Sequence, residues 1–180
     1  IRWINDRHAD ADFCVMAGDL ADAGFRGAVE PYWRLKKAIG RLAIPCHLTI
    51  GNHDSRETFV SVFGEETRAE TGCIDRVIDA KGYRVILLDS VADREDHTHG
   101  GALSRQQVDW LQARLSDHAG LIVVVLHHHA NPLHVRVDRI IMEDGEILAE
   151  LLRAHEDVRQ VIAGHVHFTS CGVWHGIPFT

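Results

Sequence analysis

The chain has 180 residues, of which 26 are acidic and 19 are basic, so its net charge is −7. Apolar residues make up 46% of it and charged residues 25%, proportions that exclude disordered, collagen-like and coiled-coil proteins. The acidic balance disfavours a protein that tracks a nucleic-acid backbone, since such binding needs clustered Lys and Arg. The unusual number is 14 histidines, because histidine is the commonest protein ligand of metal ions.

No stretch of the sequence has the length of a membrane span. The longest apolar run, Leu121–Leu126, has six residues, against about 20 for a spanning helix. The first residues show no basic stretch followed by an apolar core, so the sequence does not predict a signal peptide. The four cysteines (Cys14, Cys46, Cys73 and Cys171) are far apart. We expect them to be reduced thiols, which indicates a reducing, cytoplasmic compartment.

The first half of the chain predicts two strands with a helix between them. Residues 13–17 predict a buried strand that ends at Gly18-Asp19. Residues 31–42 carry apolar side chains close to helical spacing. A second strand over 46–50 ends at Gly51-Asn52-His53-Asp54.

The second half continues the alternation of strands and helices. Tyr83–Leu88 predicts a third strand, and Ser104 begins a helix with Gln107 at the capping-box position. The β-branched run Leu121–Leu126 predicts a strand that ends at three histidines. The last elements are a helix over 147–152 and a strand over Val158–Ala163, which ends at Gly164-His165-Val166-His167. This alternation is typical of α/β layers around a sheet that is buried on both faces.

The polar clusters share one position in this pattern. Each lies just past the carboxyl end of a predicted strand, where open α/β sheets gather their ligands. Taken singly, each has an ordinary explanation as a turn, a loop or a structural histidine. Together they supply one carboxylate, one amide and several imidazoles, which suit Zn²⁺, Fe²⁺ or Mn²⁺. Because four strand ends carry such residues, the sequence predicts a metal site at this edge of the sheet.

These clusters resemble the signature of the calcineurin-like metallophosphoesterases, in order and in spacing. The matching residues are Gly18-Asp19, Gly51-Asn52-His53-Asp54, His127 and Gly164-His165-Val166-His167. The nearer resemblance is to the bacterial class III cyclic-nucleotide phosphodiesterases and the related glycerophosphodiesterases. Further residues that support it are Arg56, Gly101, Gln107, Trp110 and Leu111. The resemblance covers nearly the whole chain and implies an α/β fold, a layered α/β/β/α sandwich.

The resemblance also implies a centre of two divalent metal ions, of iron, manganese or zinc. Asp19 would bridge the two ions. Asn52, His127 and His165 would complete the ligand shell of one ion, and His167 would bind the other. In such centres the ions activate a bridging water and hold the phosphoryl oxygens.

The resemblance gives His53 a catalytic role beside Asp19. His53 would contact or protonate the leaving-group oxygen as a metal-bridging hydroxide attacks phosphorus. The loop that contains His97 and His99 is implied to lie near the substrate pocket, so these two are possible substrate contacts. Of the neighbours His127 and His128, the alternation of an extended chain lets one face the site, and the family pattern favours His127.

One motif of the family is expected but does not fit this chain. The motif is Asp-x-His at the end of an amino-terminal strand, and Asp6-Arg7-His8 matches its letters. Residues 2–8 show a helical pattern, however, and lie too close to Asp19 for a strand and a long helix to fit between them. We therefore expect a fragment of one domain, 1–180, that lacks the first strand and the last strands. The metal site left with Asp19 and His167 is then expected to be weak or empty.

The predicted function is metal-dependent hydrolysis of small phosphodiesters, with 3′,5′-cyclic nucleotides first. The alternatives are a glycerophosphodiesterase, a phosphomonoesterase, a nuclease and a non-catalytic scaffold of the same fold. His129-Ala130 stands where close relatives often carry two prolines, in a loop on the substrate side, so the natural substrate stays open. We expect a small-molecule substrate, no membrane and no extended nucleic acid as partners, and the sequence is compatible with a homo-oligomer.

Overall fold

The structure, a computed structural model, describes residues 1–22, 24–92 and 99–180. Its helices are α1 (Arg2–Arg7), α2 (Glu30–Ile39), α3 (Arg56–Phe63), α4 (Arg105–Ser116) and α5 (Gly145–Arg153). Its strands are β1 (Cys14–Ala17), β2 (Cys46–Thr49), β3 (Arg76–Ala80), β4 (Tyr83–Leu88), β5 (Leu121–Leu126), β6 (Val158–Ala163), β7 (Gly172–Trp174) and β8 (Ile177–Phe179). Short 3₁₀ turns cover Gly24–Arg26, Glu65–Thr67 and Arg136–Ile140. Within these described ranges, no helix is both long and apolar enough to cross a membrane.

The strands form two sheets. In the larger one, β4, β5 and β6 lie parallel and side by side, within the order β3-β4-β5-β6-β8-β7. Antiparallel hairpins, β3–β4 and β7–β8, complete its two sides. The smaller sheet is the parallel pair β1–β2. The two sheets meet where the Thr49 hydroxyl donates to the Leu88 carbonyl over 3.1 Å.

Helices α2 to α5 pack in two pairs, one against each sheet. Helices α4 and α5 cover the larger sheet, and their buried residues include Leu111, Leu115, Leu148 and Leu152. Helices α2 and α3 bury Tyr32 and Phe59 beside Leu48 of β2 and Ile50, which follows this strand. Burying an apolar side chain of this size stabilises a fold by roughly 1.5–3 kcal/mol. The result is the predicted layered arrangement of helices and sheets.

Helix α4 begins as the sequence predicts. The Ser104 hydroxyl accepts the backbone N–H of Gln107 over 3.2 Å, and the Gln107 side chain accepts the backbone N–H of Ser104 over 3.0 Å. This reciprocal capping box satisfies two N–H groups that the first turn of a helix leaves without partners.

Two strands in the first half of the chain differ from the sequence-based expectation. β1 is half-exposed rather than buried, and Met16 keeps 37% of its surface exposed, because β2 is its one partner among the described strands. β3 is absent from the predicted elements because Arg76 and Asp79 interrupt its apolar residues. Its pairing with β4 depends on a tight turn at Lys81-Gly82, where φ is 50° and 82°.

Residues 2–8 are helical, as their pattern predicts. Helix α1 covers Arg2–Arg7, and His8 is its C-terminal cap. Asp6 and His8 therefore do not follow a strand, so the Asp-x-His letters found there do not reproduce the strand-end motif of the family.

Candidate metal centre

Glycines let the ends of the strands approach one another. A Cβ atom added to Gly51, after β2, would lie 2.5 Å from the backbone nitrogen of Asp19, after β1. A Cβ atom on Gly18 would lie 2.4 Å from Nδ1 of His127, after β5. Such distances are far below van der Waals contact, so these two positions accept glycine alone. The GD and GNHD motifs thus bring three strand ends into direct contact.

Four side-chain atoms converge where these strand ends meet. Nε2 of His127 lies 3.3 Å from Oδ2 of Asp19, 3.1 Å from Oδ1 of Asn52 and 3.2 Å from Nδ1 of His165. Asp19, His127 and His165 each offer a ligand atom, and these three atoms lie within 4.8 Å of one another. Ligands about 2.0–2.2 Å from one divalent ion are separated by roughly 3.0–3.5 Å. The three distances from Nε2 of His127 are of this size, so these ligand atoms are compatible with binding one metal ion.

Two backbone carbonyls fix the tautomers of the two imidazoles. Nδ1 of His127 lies 2.7 Å from the carbonyl oxygen of Ala17, and Nε2 of His165 lies 3.0 Å from that of Ile140. A carbonyl oxygen can only accept, so each of these nitrogens carries the hydrogen of its ring. The opposite nitrogen of each neutral ring then presents a lone pair to the centre. When both rings are neutral, lone pairs of two imidazoles, a carboxylate and an amide oxygen converge here, an arrangement that a metal ion satisfies. Without an ion, a proton on Nε2 of His127 can instead bridge this ring to Asp19.

The charges at this cluster also suit a cation. Burial raises the pKa of Asp19. The hydrogen bond and charge of a protonated His127, together with the backbone N–H of His53, outweigh this effect, so the pKa is lowered to about 2. Burial, together with the charge of His127, lowers the pKa of His165 to about 4. Near neutral pH, Asp19 is ionised and His165 is uncharged. These are the forms that coordinate a metal.

The backbone at these residues adopts an uncommon conformation. Asp19, His165 and His167 have φ values of 51°, 71° and 57°. Residues other than glycine rarely adopt positive φ, and such strained positions collect at functional sites. Of the six described residues other than glycine with positive φ, three thus lie at these strand ends.

Comparison with known proteins identifies the family. The sequence profile described as calcineurin-like phosphoesterase matches residues 1–168. The chain belongs to this family. The resemblance noted in the sequence and the predicted fold class are thereby confirmed.

Individual relatives of this calcineurin-like chain carry more specific names. A probable cyclic nucleotide phosphodiesterase of Rhodococcus erythropolis is 36% identical over 180 residues, covering 94% of this chain and 56% of that protein. A probable glycerophosphodiester phosphodiesterase of Arcobacter nitrofigilis is 29% identical over 182 residues, covering 98% and 64%. The chain thus spans between 56% and 64% of the length of these curated relatives.

A solved structure shows the same fold. The dimetal phosphatase from Danio rerio superimposes with a TM-score of 0.78 and 20% sequence identity, covering 99% of this chain and 73% of that one. At this level of identity the likeness establishes the calcineurin-like fold and carries no information about substrate.

The predicted catalytic residue His53 lies at the rim of the centre. Its backbone N–H donates to Oδ1 of Asp19 over 3.0 Å, and its ring Nδ1 lies 3.1 Å from the carbonyl oxygen of Asp22. About 35% of its side chain is exposed. The ring is thus partly exposed, and its backbone lies next to the candidate ligand Asp19.

The two predicted substrate contacts have different outcomes. His99 lies with Nδ1 2.8 Å from Nδ2 of Asn52, and its ring stacks on that of His53 at a centroid distance of 5.7 Å. This contact orients the Asn52 amide so that its oxygen faces the ligand cluster. His97 lies outside the described residues. His99 is therefore placed at the rim of the centre, beside both a candidate ligand and the candidate acid.

His167 is not part of the ligand cluster. It is exposed, and the one group of three or more potential ligands among the described His, Cys, Asp and Glu residues contains Asp19, His127 and His165. Its role as a ligand of a second ion therefore stays a prediction.

Several supporting groups were not identified from the sequence. The carbonyls of Ala17 and Ile140 have no side-chain signature, so no pattern could have indicated them. His128 is fully buried, with Nδ1 2.8 Å from the Ser90 hydroxyl, and its ring lies 4.7 Å from that of His165. Burial holds the pKa of His128 at about 2, so the ring stays uncharged behind the ligands.

Proposed function

We propose that this protein is a metal-dependent phosphodiesterase that hydrolyses small phosphodiesters, with 3′,5′-cyclic nucleotides as the first candidate substrates. The observation that carries the proposal is the convergence of four ligand atoms, from Asp19, Asn52, His127 and His165. Family membership supports phosphoester chemistry, and the names of relatives from Rhodococcus and Arcobacter support a phosphodiester substrate.

The ligand residues are proposed to bind a divalent ion of zinc, iron or manganese. When bound, such an ion lowers the pKa of a coordinated water and polarises a phosphoryl oxygen. The carbonyls of Ala17 and Ile140 keep the His127 and His165 lone pairs directed at the centre. The contact between His99 and Asn52 directs the Asn52 oxygen to the same point. The centre is therefore preorganised, with little rearrangement needed on binding.

His53 is proposed to act on the leaving group. Its ring lies at the exposed rim next to Asp19, and the Asp22 carbonyl fixes its orientation. A phosphodiester whose phosphate approaches the ligand cluster brings its ester oxygens to this rim. From there His53 can hydrogen-bond or protonate the departing alkoxide, a contribution that is typically worth about 10²–10⁴ in rate.

A second ion is proposed to bind between Asp19 and His167, with lower affinity than the first. Asp19 can serve two ions because it has two carboxylate oxygens: Oδ2 lies in the cluster, and Oδ1, which accepts the backbone N–H of His53, keeps a second lone pair. Titration with Mn²⁺ is expected to give one tight equivalent and a weaker one. His167→Ala is expected to remove the weaker equivalent and leave the tight one, and unchanged stoichiometry would contradict this part of the proposal.

The setting of the enzyme is part of the proposal. A reducing, cytoplasmic compartment is proposed, because the four cysteines are far apart in the sequence and form no C-x-x-C pair. A small phosphodiester is the proposed partner, because the open rim at His53 and His99 is compatible with a small ligand.

The test combines metal binding with three substrates. Metal-loaded protein is assayed on bis(p-nitrophenyl) phosphate, cyclic AMP and glycerophosphocholine. Asp19→Ala is expected to lose metal binding and turnover together, whereas His53→Ala is expected to keep the metal and lose turnover. His8→Ala, at an exposed histidine that caps α1, is the matched control and is expected to leave both unchanged. Metal-loaded protein that turns over none of the three substrates would contradict the proposal.

A further inference from the structure

We propose that His129 and Asp138 form a positioning pair that holds the segment 133–141 against the metal centre and thereby fixes the ring of His165. This inference rests on the proposed function, because it concerns a candidate ligand of the metal. Neither residue is a proposed ligand, and neither lies at the exposed rim with His53.

The starting point is the hydrogen bond of His165. Its Nε2–H donates to the carbonyl of Ile140 over 3.0 Å, and this bond sets which ring nitrogen carries the lone pair and where that lone pair points. Ile140 closes a 3₁₀ turn, Arg136–Ile140, rather than a long helix or a strand. The position of its carbonyl therefore depends on what holds this short turn in place.

Asp138 holds the turn from within. Its carboxylate accepts the backbone N–H of Leu133 over 3.1 Å and that of His134 over 2.7 Å. Its own carbonyl accepts the N–H of Ile141 over 3.3 Å. His134 has a φ of 59°, a conformation that a residue other than glycine keeps when its surroundings hold it there. Asp138 thus ties the start of the segment to the residue that follows Ile140.

His129 connects this turn to the metal centre. Its Nε2 lies 3.3 Å from Oδ1 of Asp138, and its ring stacks on that of His165 at 5.9 Å with an interplanar angle of 29°. The side chain is 3% exposed. Within the described part of the chain its Nδ1 is buried without a hydrogen-bond partner, so the bond to Asp138 is the polar contact that orients the ring.

The sequence is unusual at position 129. His129 stands where the resemblance leads one to expect proline, and a proline side chain has no N–H to donate to Asp138. The imidazole instead contacts both the carboxylate that shapes the turn and the ring that the turn orients. His165 is accordingly held between a carbonyl on one side and a stacked ring on the other.

Three variants separate the hydrogen bond from simple packing. His129→Phe keeps an aromatic ring against His165 but cannot donate to Asp138, whereas His129→Gln loses the ring and keeps an N–H donor. Asp138→Asn keeps the size of the side chain and replaces one acceptor oxygen with a donor. Asp109→Asn, at an exposed carboxylate that pairs with Arg105 on α4, is the matched control.

Two readouts are measured on each variant. The first is affinity for Zn²⁺, from competition with a chromophoric chelator. The second is the NMR signal of the His165 Nε2–H in metal-free protein, which does not depend on catalysis. His129→Phe and Asp138→Asn are expected to weaken Zn²⁺ binding by about 10–100-fold and to lose the Nε2–H signal. His129→Gln is expected to retain more affinity than His129→Phe, and Asp109→Asn to match the parent protein.

The outcomes distinguish this proposal from the proposed function. Parent protein that binds no Zn²⁺ would overturn both. Parent protein that binds Zn²⁺, with His129→Phe and Asp138→Asn binding within twofold and keeping the His165 signal, would overturn the positioning pair alone. If Asp138→Asn fails to fold, the comparison of His129→Phe with His129→Gln decides. His129→Phe that then binds Zn²⁺ within twofold of the parent protein and keeps the His165 signal contradicts the role of the hydrogen bond.

Discussion

Replacing the buried Asp75 with asparagine is expected to remove a pH-dependent loss of stability. Asp75 is 4% exposed and lies just before β3. Its carboxylate accepts the Thr71 hydroxyl over 2.6 Å, the Asp89 backbone N–H over 2.9 Å and the Gln107 side-chain N–H over 3.0 Å. Burial raises the pKa of this carboxyl group from 3.8 to about 6, more than these donors lower it.

The pKa values of Asp75 in the unfolded chain and in the folded protein determine the sign and the size of the change in stability with pH. Between pH 3.8 and about 6, the folded protein keeps a proton on Asp75 that the unfolded chain has released. The free energy of unfolding therefore falls as the pH rises through this window. At about 1.4 kcal/mol per pH unit, the loss reaches about 3 kcal/mol by neutral pH. Asparagine stays uncharged and can keep the same neighbours, because the Thr71 hydroxyl can accept as well as donate.

Other groups titrate in the same range, so the comparison has to be made between variants. Burial lowers the pKa of His165 to about 4, and a histidine with a depressed pKa contributes stability that grows between about pH 4 and 6.5. This contribution is common to the parent protein and to Asp75→Asn. It cancels in the difference between their unfolding free energies.

The assay is urea unfolding at several pH values from 4.5 to 7.5, with a chelator present to exclude metal linkage. Asp75→Asn is expected to gain stability over the parent protein as the pH rises, by up to about 3 kcal/mol across the full titration of the carboxyl group. Asp109→Asn, at an exposed carboxylate, is expected to show a difference that does not change with pH. A constant difference for Asp75→Asn would refute the reasoning, because it would mean that burial does not shift this carboxyl group.

Three substitutions test other parts of the structure. Gly51→Ala is expected to weaken Zn²⁺ binding at least tenfold in a chelator competition, because its Cβ would lie 2.5 Å from Asp19; unchanged affinity would contradict the packing of the two loops. Ser104→Ala is expected to lower the unfolding free energy by about 1 kcal/mol in urea, since it removes the cap of α4. Tyr32→Phe is expected to cost about 1–3 kcal/mol in the same assay, because the hydroxyl donates to the buried Asp54 over 2.8 Å.

The sequence could predict where the centre lies because its signals are local. Apolar runs such as Leu121–Leu126 mark strands, and the polar residues that follow mark their carboxyl ends. Parallel strands bring such ends to one edge, so His127 and His165 could be placed together before any contact was known. The count of 14 histidines was a weaker guide, since His47 and His175, for example, lie outside the ligand cluster.

The sequence could not predict what depends on contacts between distant segments. The tautomer of His165 follows from the carbonyl of Ile140, 25 residues away, and a carbonyl is the same in every residue. The pairing of His129 with Asp138 depends on the path of the turn between them. β3 could not be predicted from its own side chains, because they show no regular apolar pattern; its strand conformation depends on pairing with β4.

Asp54, the last residue of the GNHD motif, connects two loops that carry ligands, although it is not itself a ligand. The carboxylate of Asp54 accepts the backbone N–H groups of Leu20 and Ala21 over 3.0 Å each, that of Gly51 over 2.8 Å and the Tyr32 hydroxyl over 2.8 Å. Burial raises the pKa of Asp54, and these four donors act against that rise. One carboxylate thereby joins the loop after β1 to the loop after β2. The spacing between the Asp19 and Asn52 ligand atoms therefore depends on a residue that does not face the metal.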